Sequence, residues 1–186
     1  MNLPASVEGR ERLRLFCALR LPDPALDALS EWQADELRNG RVVPRGHLHL
    51  TLAFLGHRPV DELPAIAGAL RESAAAAEPI RLLPERYRET RSVGMLVLKD
   101  LTGGAASRLA DDLFDRLERL SVYERERRTW LPHVTVLRFR QPPGLKPPLP
   151  ELGEVVPSDA AAYLSQLGPK GAEYFVVESF VLGGAQ

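Results

Sequence analysis

A polar two-residue repeat inside two apolar segments is the feature that most limits how this chain can fold. The segment HLHLTLAFLG starts at residue 47, and its His-apolar-Thr-apolar pattern returns 84 positions later in LPHVTVLRF. Because successive side chains of a strand point to opposite faces, His49 and Thr51 share one face and leucines take the other. His133 and Thr135 share a face in the same way. The repeat predicts two strands, each with an apolar face for a helix and a polar face for a cleft.

The two polar faces carry groups that suit phosphate-ester chemistry. If the strands face each other, two imidazoles and two hydroxyls line one cleft. Histidine titrates near neutral pH, so one imidazole accepts a proton while the other donates one. Threonine hydroxyls donate hydrogen bonds to the non-bridging phosphate oxygens. Arg138 has the wrong parity relative to His133 in a regular strand, so it reaches this face only if the strand twists or bulges. The scheme requires no metal.

A single His-x-Thr is common in strands and is more often structural than functional. Two copies in apolar strands, each followed by a phenylalanine (Phe54 and Phe139), indicate a site. His47 shares the face of His49, and these two with His133 offer a zinc site as an alternative. Against zinc, the sequence has no nearby carboxylate to orient the ligands. We therefore expect His47 at the rim of the cleft.

Three residues outside the motifs also have predicted roles. His57, in GHRP, is predicted to lie in an exposed turn. Trp130 either stacks on a base or packs just before the second motif strand. Cys17 is the only cysteine, which excludes an internal disulfide, and its strand-like surroundings predict a buried apolar residue and not a reactive thiol.

Hydrophobic periodicity places the motif strands among three helices and further strands. Additional strands are predicted at LRLFCAL, RVVP, PIRLLPE, SVGMLVL and EYFVVESFVL. The first helix has Asp23 as its N-cap and Pro24 in its first position, the second runs from Asp61 to Ala77, and the third covers TGGAASRLADDLFDRLERL. QPPGLKPPLP is a proline-rich loop and PSDAAAYLSQL a short helix. The predicted inward-facing residues are Leu26, Leu29, Trp32 and Leu37, then Leu63, Ile66, Leu70 and Ala74, then Leu109, Leu113, Leu117 and Leu120.

This order of elements predicts an α+β fold with mostly antiparallel sheets. Each histidine strand follows one long helix, so two related lobes are expected. Residues 1–11 are polar and are predicted to be a loose tail, and residues 12–186 are predicted to form a single bilobal domain.

Composition excludes several classes of protein. The 186 residues carry a formal net charge of -1, so overall basicity does not indicate nucleic acid, and only a local basic groove would serve RNA. No uninterrupted apolar run reaches about 18 residues, the length of a membrane span. The N-terminal segment lacks the apolar core of a signal peptide. We therefore expect a cytoplasmic protein that acts as a monomer.

The motifs HLTL and HVTV resemble those of the 2H phosphoesterase superfamily, which is named for its two His-x-Thr signatures. LHLTLAFLG and PHVTVLR are most similar to its RNA 2′,3′-cyclic phosphodiesterase branch, historically called 2′-5′ RNA ligase. RLFCAL and ESFVL resemble the first and last strands of that branch, so the resemblance spans about residues 12–182. It implies two mostly antiparallel sheets related by pseudo-twofold symmetry around a central groove, with the helices outside.

The resemblance also implies an activity and a set of site residues. The activity is metal-independent hydrolysis of an RNA 2′,3′-cyclic phosphate end to a 2′-phosphate, without a cofactor and with the option of reversible 2′-5′ ligation. His49 and His133 are then catalytic, one activating water and the other protonating the leaving 3′ oxygen. The resemblance leaves the division of roles open, and we favour His133 as the base and His49 as the acid. Thr51, Thr135 and Arg138 bind the phosphate, and the partner is RNA with a cyclic phosphate end or a small nucleotide.

Two departures from the family leave the substrate open. Residues 141–173 are more numerous than the family leads us to expect before the last strand, and the chain ends in VLGGAQ. One alternative is a phosphodiesterase for a small cyclic nucleotide or a 2′-5′ oligoadenylate, which the near-neutral net charge favours. Another is a nucleotide- or RNA-binding module without turnover. The intact histidines and threonines of both motifs argue against that module, because binding alone does not need two titratable groups.

Overall fold

Eight strands and three α-helices are present in the computed structural model, which describes residues 12–168 and 171–183. The predicted tail, residues 1–11, lies outside the described residues. The strands are β1 (Arg12–Leu19), β2 (Arg41–Val42), β3 (Leu50–Pro59), β4 (Leu82–Glu89), β5 (Val93–Asp100), β6 (His133–Arg138), β7 (Asp159–Gly168) and β8 (Gly171–Val181). The helices are α1 (Asp23–Glu36), α2 (Leu63–Ala75) and α3 (Ala105–Arg119).

The strands form one antiparallel sheet in the order β4-β5-β6-β3-β1-β7-β8, with the short β2 paired to β6. The predicted α+β class is confirmed. The two expected sheets are two halves of this sheet, because β3 and β6 join at its centre through one residue pair, Leu50 with Val134. The segments that carry the two histidine motifs are therefore direct neighbours.

The apolar faces of the motif strands lie in the main core, as the repeat predicted. Leu50 and Val136 are completely buried there, and α2 packs against α3, β7 and β8. Most of the predicted inward-facing helix residues are buried. Leu120 is an exception with 41% exposure, because α3 ends one residue before it, and Leu26 is only partly buried.

Several predicted boundaries were wrong by a few residues. The N-cap of α1 is Pro22, so Asp23 is the first helical residue and its carboxylate accepts a hydrogen bond from Arg45. A turn of 3₁₀ helix, Val60–Glu62, precedes α2. β4 begins at Leu82, because the residues before it lead from α2 into the sheet.

The predicted short helix in PSDAAAYLSQL is wrong, since this segment is strand β7. The strand lies between β1 and β8, and its residues from Asp159 to Ser165 are all buried. The three alanines favour a helix by propensity. Pairing on both sides overrides that preference, and small side chains fit a strand that is covered on both faces.

Candidate active site

The pairing of Leu50 with Val134 fixes how the two motifs face each other. Continuing this antiparallel register by one residue in each direction sets Thr51 beside His133 and His49 beside Thr135. Leu50 and Val134 point into the core, so the flanking residues point to the opposite face of the sheet. The structure thus brings together the two imidazoles and two hydroxyls on one face of a single sheet, and not on two opposing faces as supposed from the sequence.

Both motif histidines are oriented by the same backbone contact. Nδ1 of His49 lies 2.7 Å from the carbonyl oxygen of His47, and Nδ1 of His133 lies 2.7 Å from that of Leu131. Because a carbonyl only accepts, each Nδ1 carries the hydrogen, and Nε2 is left to exchange protons. Nε2 of His49 lies 3.1 Å from the hydroxyl of Thr51.

A β-bulge in β6 brings Arg138 to the same surface. Gly94 of β5 pairs with Leu137, whereas the next residue, Met95, pairs with Thr135, so Val136 is the extra residue. The bulge reverses the parity beyond it, and Arg138 lies on the face of Thr135. This is the irregularity on which the predicted contribution of Arg138 depended.

β3 contains a matching irregularity. Cys17 pairs with Ala53 while Ala18 pairs with Thr51, which leaves Leu52 as the extra residue. Phe54 therefore shares the face of Thr51 three residues before it, just as Arg138 shares the face of Thr135. Phe54 is 50% exposed, which is unusual for a phenylalanine and reflects its place in the cleft.

These side chains line one cleft of about 600 Å³ on the open face of the sheet. His49, Thr51, Thr135 and Arg138 are among its lining residues, and His133 is not, since it lies next to the cleft beside Thr51. The cleft has more positive than negative groups in its wall, because three arginines and no carboxylate line it among the described residues. Further lining residues are Arg14, Phe16, Arg41, His47, Ser165 and Tyr174.

Three aromatic rings lie close to the imidazole of His49. Its ring centroid lies 4.9 Å from that of Phe16, 5.7 Å from that of Tyr174 and 5.9 Å from that of Tyr163. Burial among these rings lowers the pKa of His49 to about 4, and electrostatic interactions with His47, Arg138 and His133 act in the same direction. The hydrogen bond to the His47 carbonyl opposes the shift without cancelling it. His49 is therefore neutral at pH 7.

The predicted strand begins three residues later than the repeat suggested, so neither His47 nor His49 is part of it. β3 begins at Leu50, and His47 ends a turn of 3₁₀ helix, with its ring 4.5 Å from that of Tyr174. Burial lowers its pKa, opposed by Glu173. Within residues 12–168 and 171–183, no group of three or more His, Cys, Asp or Glu side chains is arranged to hold a metal ion.

The other three residues singled out in the sequence lie outside the lining of the cleft. Nε1 of Trp130 donates a hydrogen bond to the Thr51 carbonyl over 3.0 Å, so the indole packs between the motifs and does not line the cleft. His57 is exposed as expected, but it lies in β3 and not in a turn. Cys17 is fully buried, and burial raises the pKa of its thiol to about 12.

Several cleft residues were missed by sequence reasoning. Arg14 and Phe16 share a face of β1, and their alternation with buried leucines was the signal available for them. Arg14 is held by the hydroxyl of Ser165 at 3.2 Å and lies over the ring of Phe54 at 4.9 Å. Tyr174 had no comparable signal, because its place depends on β8 reaching this cleft.

Comparison with known proteins shows the family to which the chain belongs. Residues 21–166, well over half of the chain, match the family model of the 2′-5′ RNA ligase superfamily. The chain therefore belongs to the 2′-5′ RNA ligase superfamily, which confirms the resemblance inferred from the two motifs.

Individual relatives cover nearly the whole chain. It is 33% identical over 182 residues to an RNA 2′,3′-cyclic phosphodiesterase of Thermus thermophilus, a match covering 92% of this chain and 91% of the relative. The crystal structure of TT0787, also from Thermus thermophilus, superposes with a TM-score of 0.78 at 33% identity, covering 94% of this chain and all of that chain. Escherichia coli LigT complexed with NADP⁺ gives a TM-score of 0.78 at 24% identity with the same coverage, and it supports the fold.

Proposed function

We propose that this protein hydrolyses 2′,3′-cyclic phosphate ends of RNA to 2′-phosphates. One observation carries the proposal: two histidines with equivalent backbone contacts stand at the starts of neighbouring strands, His49 just before β3 and His133 as the first residue of β6, each with a threonine of its motif, beside a cleft lined with arginines. The name of the 33% identical relative supports the choice of substrate.

The reaction needs one proton acceptor and one proton donor. Water attacks phosphorus while one histidine Nε2 takes its proton, and the bond from phosphorus to the 3′ oxygen breaks. The other histidine protonates that oxygen, so the product is a 2′-phosphate with a free 3′ hydroxyl. Thr51, Thr135 and Arg138 supply hydrogen-bond donors for the phosphate oxygens as negative charge accumulates on them.

The pKa of His49 favours a particular division of roles. At pH 7 its Nε2 carries no proton, because burial lowers the pKa to about 4 while Nδ1–H is held by the His47 carbonyl. A base must be unprotonated in the free protein, so we assign the base to His49 and the acid to His133. This assignment reverses the one that we favoured from the sequence.

A direct assay tests the proposal. A short RNA ending in a 2′,3′-cyclic phosphate is incubated with the protein in the presence of EDTA, and the products are separated by chromatography. Conversion to the 2′-phosphate supports the proposal and its regiochemistry, whereas formation of a 3′-phosphate contradicts it. An untouched RNA that is converted after zinc is added would support the three-histidine alternative instead.

The remaining properties that the sequence suggested are part of the same proposal. We take residues 12–186 as one catalytic domain that acts as a monomer in the cytoplasm. Size-exclusion chromatography with light scattering tests the monomer, for which a mass near 20.6 kDa is expected. Within the described residues, none of the helices is long and apolar enough to cross a membrane.

A further inference from the structure

Arg41 and Arg138 lie directly opposite each other on neighbouring strands. The proposed reaction uses Arg138 but gives Arg41 no role. Arg41 of β2 pairs in register with Arg138 of β6, and both side chains line the cleft. Like charges directly opposite each other in a sheet are destabilising. In the described part of the chain, neither guanidinium forms a hydrogen bond or ion pair with a carboxylate. Anions bound beside these guanidinium groups would offset the repulsion.

The guanidinium of Arg41 extends across the cleft towards the other half of the sheet. A Cβ added to Gly171, at the start of β8, would lie 3.2 Å from Nη1 of Arg41. Gly171 lines the cleft and has a φ of 120°, a conformation that favours glycine. The Arg41 guanidinium therefore lies close to the backbone on the other side of the cleft.

His47 lies beside the same pair of arginines. Both Arg41 and Arg138 act to lower its pKa, which requires the three side chains to be close together. Its ring lies 4.5 Å from that of Tyr174, and both rings line the cleft. The imidazole adds a hydrogen-bonding group to the two guanidinium groups. Glu173 acts on His47 in the opposite direction, but it is not among the lining residues.

We propose that Arg41 and His47 form a second phosphate subsite, next to the site at which Arg138 helps to hold the reacting phosphate. The choice of ligand rests on the proposed function. Thr51, Thr135 and Arg138 already supply donors for one phosphate, so another guanidinium recognises another anion. A terminal nucleoside with a 2′,3′-cyclic phosphate has only its 5′ oxygen left for a further phosphate. The substrate is therefore a nucleotide end with a 5′-side phosphate, and not a nucleoside cyclic monophosphate.

A binding experiment tests this subsite without turnover. Dissociation constants for adenosine 2′-monophosphate and adenosine 2′,5′-bisphosphate are measured by calorimetry for the wild type, Arg41→Gln and Arg45→Gln. Arg45 is the matched control, since it pairs with Asp23 and Asp27 and does not line the cleft. The wild type is expected to prefer the bisphosphate about tenfold. Arg41→Gln should reduce that preference to near one, and Arg45→Gln should retain it.

Several results would overturn the second subsite. These are an unchanged preference in Arg41→Gln, an equal loss of preference in Arg45→Gln, or a wild type without any preference for the bisphosphate. If the preference behaves as expected but no cyclic phosphate is hydrolysed, the proposed function fails and the subsite stands. If cyclic phosphates are hydrolysed but the preference is absent, only the subsite fails.

A further ligand distinguishes the two sources of a 5′-side phosphate. A diadenosine dinucleotide with a terminal 2′-phosphate presents this phosphate as a diester, as an RNA strand does. If Arg41→Gln weakens binding of this dinucleotide, the subsite serves the RNA backbone. If Arg41→Gln weakens binding of the bisphosphate but not of the dinucleotide, the subsite serves small 5′-phosphorylated nucleotides.

Discussion

The indole Nε1 of Trp130 donates a hydrogen bond to the backbone carbonyl oxygen of Thr51 over 3.0 Å. The bond ties the loop before the second motif to the strand of the first. It matters because β3 and β6 are otherwise joined by a single residue pair, Leu50 with Val134. A small change in the separation of these strands changes the distance between the two imidazoles. Trp130 is therefore a positioning residue for the candidate site.

Replacing this indole should lower turnover more than its effect on stability alone explains. We expect Trp130→Phe to reduce the free energy of unfolding by about 1–2 kcal/mol, from the lost hydrogen bond and packing. Trp32→Phe is the matched control, because its Nε1 donates to the carbonyl of Pro148 over 2.8 Å, in the proline-rich loop. Urea denaturation should give similar losses for both variants, and steady-state kinetics a lower kcat for Trp130→Phe alone. Equal kcat values in the two variants would contradict the positioning role.

Asparagine substitutions of the motif histidines should abolish most activity and leave the fold intact. An Asn side chain retains a donor where Nδ1–H contacts the backbone carbonyl, but it has no Nε2 for proton transfer. We expect kcat/KM to fall about 10²–10⁴-fold for His49→Asn and for His133→Asn. His57→Asn, on the exposed face of β3, is the control and should keep wild-type kinetics. Appreciable turnover by His133→Asn, with unchanged circular dichroism, would contradict the two-histidine mechanism.

The period-two pattern of the motif strands made the main elements of this site predictable. Alternation alone separates His49 and Thr51 from the leucines between them, and the same holds for His133 and Thr135. These assignments depend only on local strand geometry. The direct pairing of the two strands was not expected, because the sequence predicted two sheets in two lobes, whereas β3 and β6 are neighbours in one sheet.

The bulges and the strand β7 could not be predicted from the sequence pattern. A bulge at Val136 depends on how β5 pairs with β6, which no residue of β6 specifies by itself. The alanines of β7 have a helical propensity that neighbours on both sides override. The aromatic rings around His49 include Phe16 and Tyr163, which are far apart in the chain. The sequence near His49 therefore did not indicate that its pKa is lowered.

The motif threonines should affect turnover through their hydroxyls and not through their shape. Thr51→Val and Thr135→Val conserve volume and remove one hydrogen-bond donor each. We expect kcat to fall about 10²-fold in each variant, because in the proposed mechanism each hydroxyl donates to the phosphate oxygens of the transition state. Serine at the same positions should restore most of the rate. A full rate in either valine variant, measured by chromatography under single-turnover conditions, would remove that threonine from the proposed mechanism.

The pH dependence of kcat/KM tests the shifted pKa of His49, because this quantity reports ionisations of the free protein. With a pKa of about 4 at this histidine, the acid limb should fall only as the pH approaches 4. The shape of the profile is the same whichever histidine is the base, so it tests the pKa of His49 and not the division of roles. Initial rates are measured from pH 4 to 8 at constant ionic strength. An acid limb near pH 6.5, the ordinary value for histidine, would contradict the shift.

The same shift predicts that acid destabilises the protein through His49. The pKa of this histidine is about 4 in the folded state and about 6.5 in the unfolded state, so the unfolded chain takes up the proton first as the pH falls. The stabilisation is complete above pH 6.5 and is lost between pH 6.5 and pH 4, at most about 3 kcal/mol. His49→Asn has no such proton to bind. Urea denaturation at pH 7 and pH 4.5 should therefore show a larger loss for the wild type than for the variant, and parallel losses would mean that the folded protein does not hold His49 neutral.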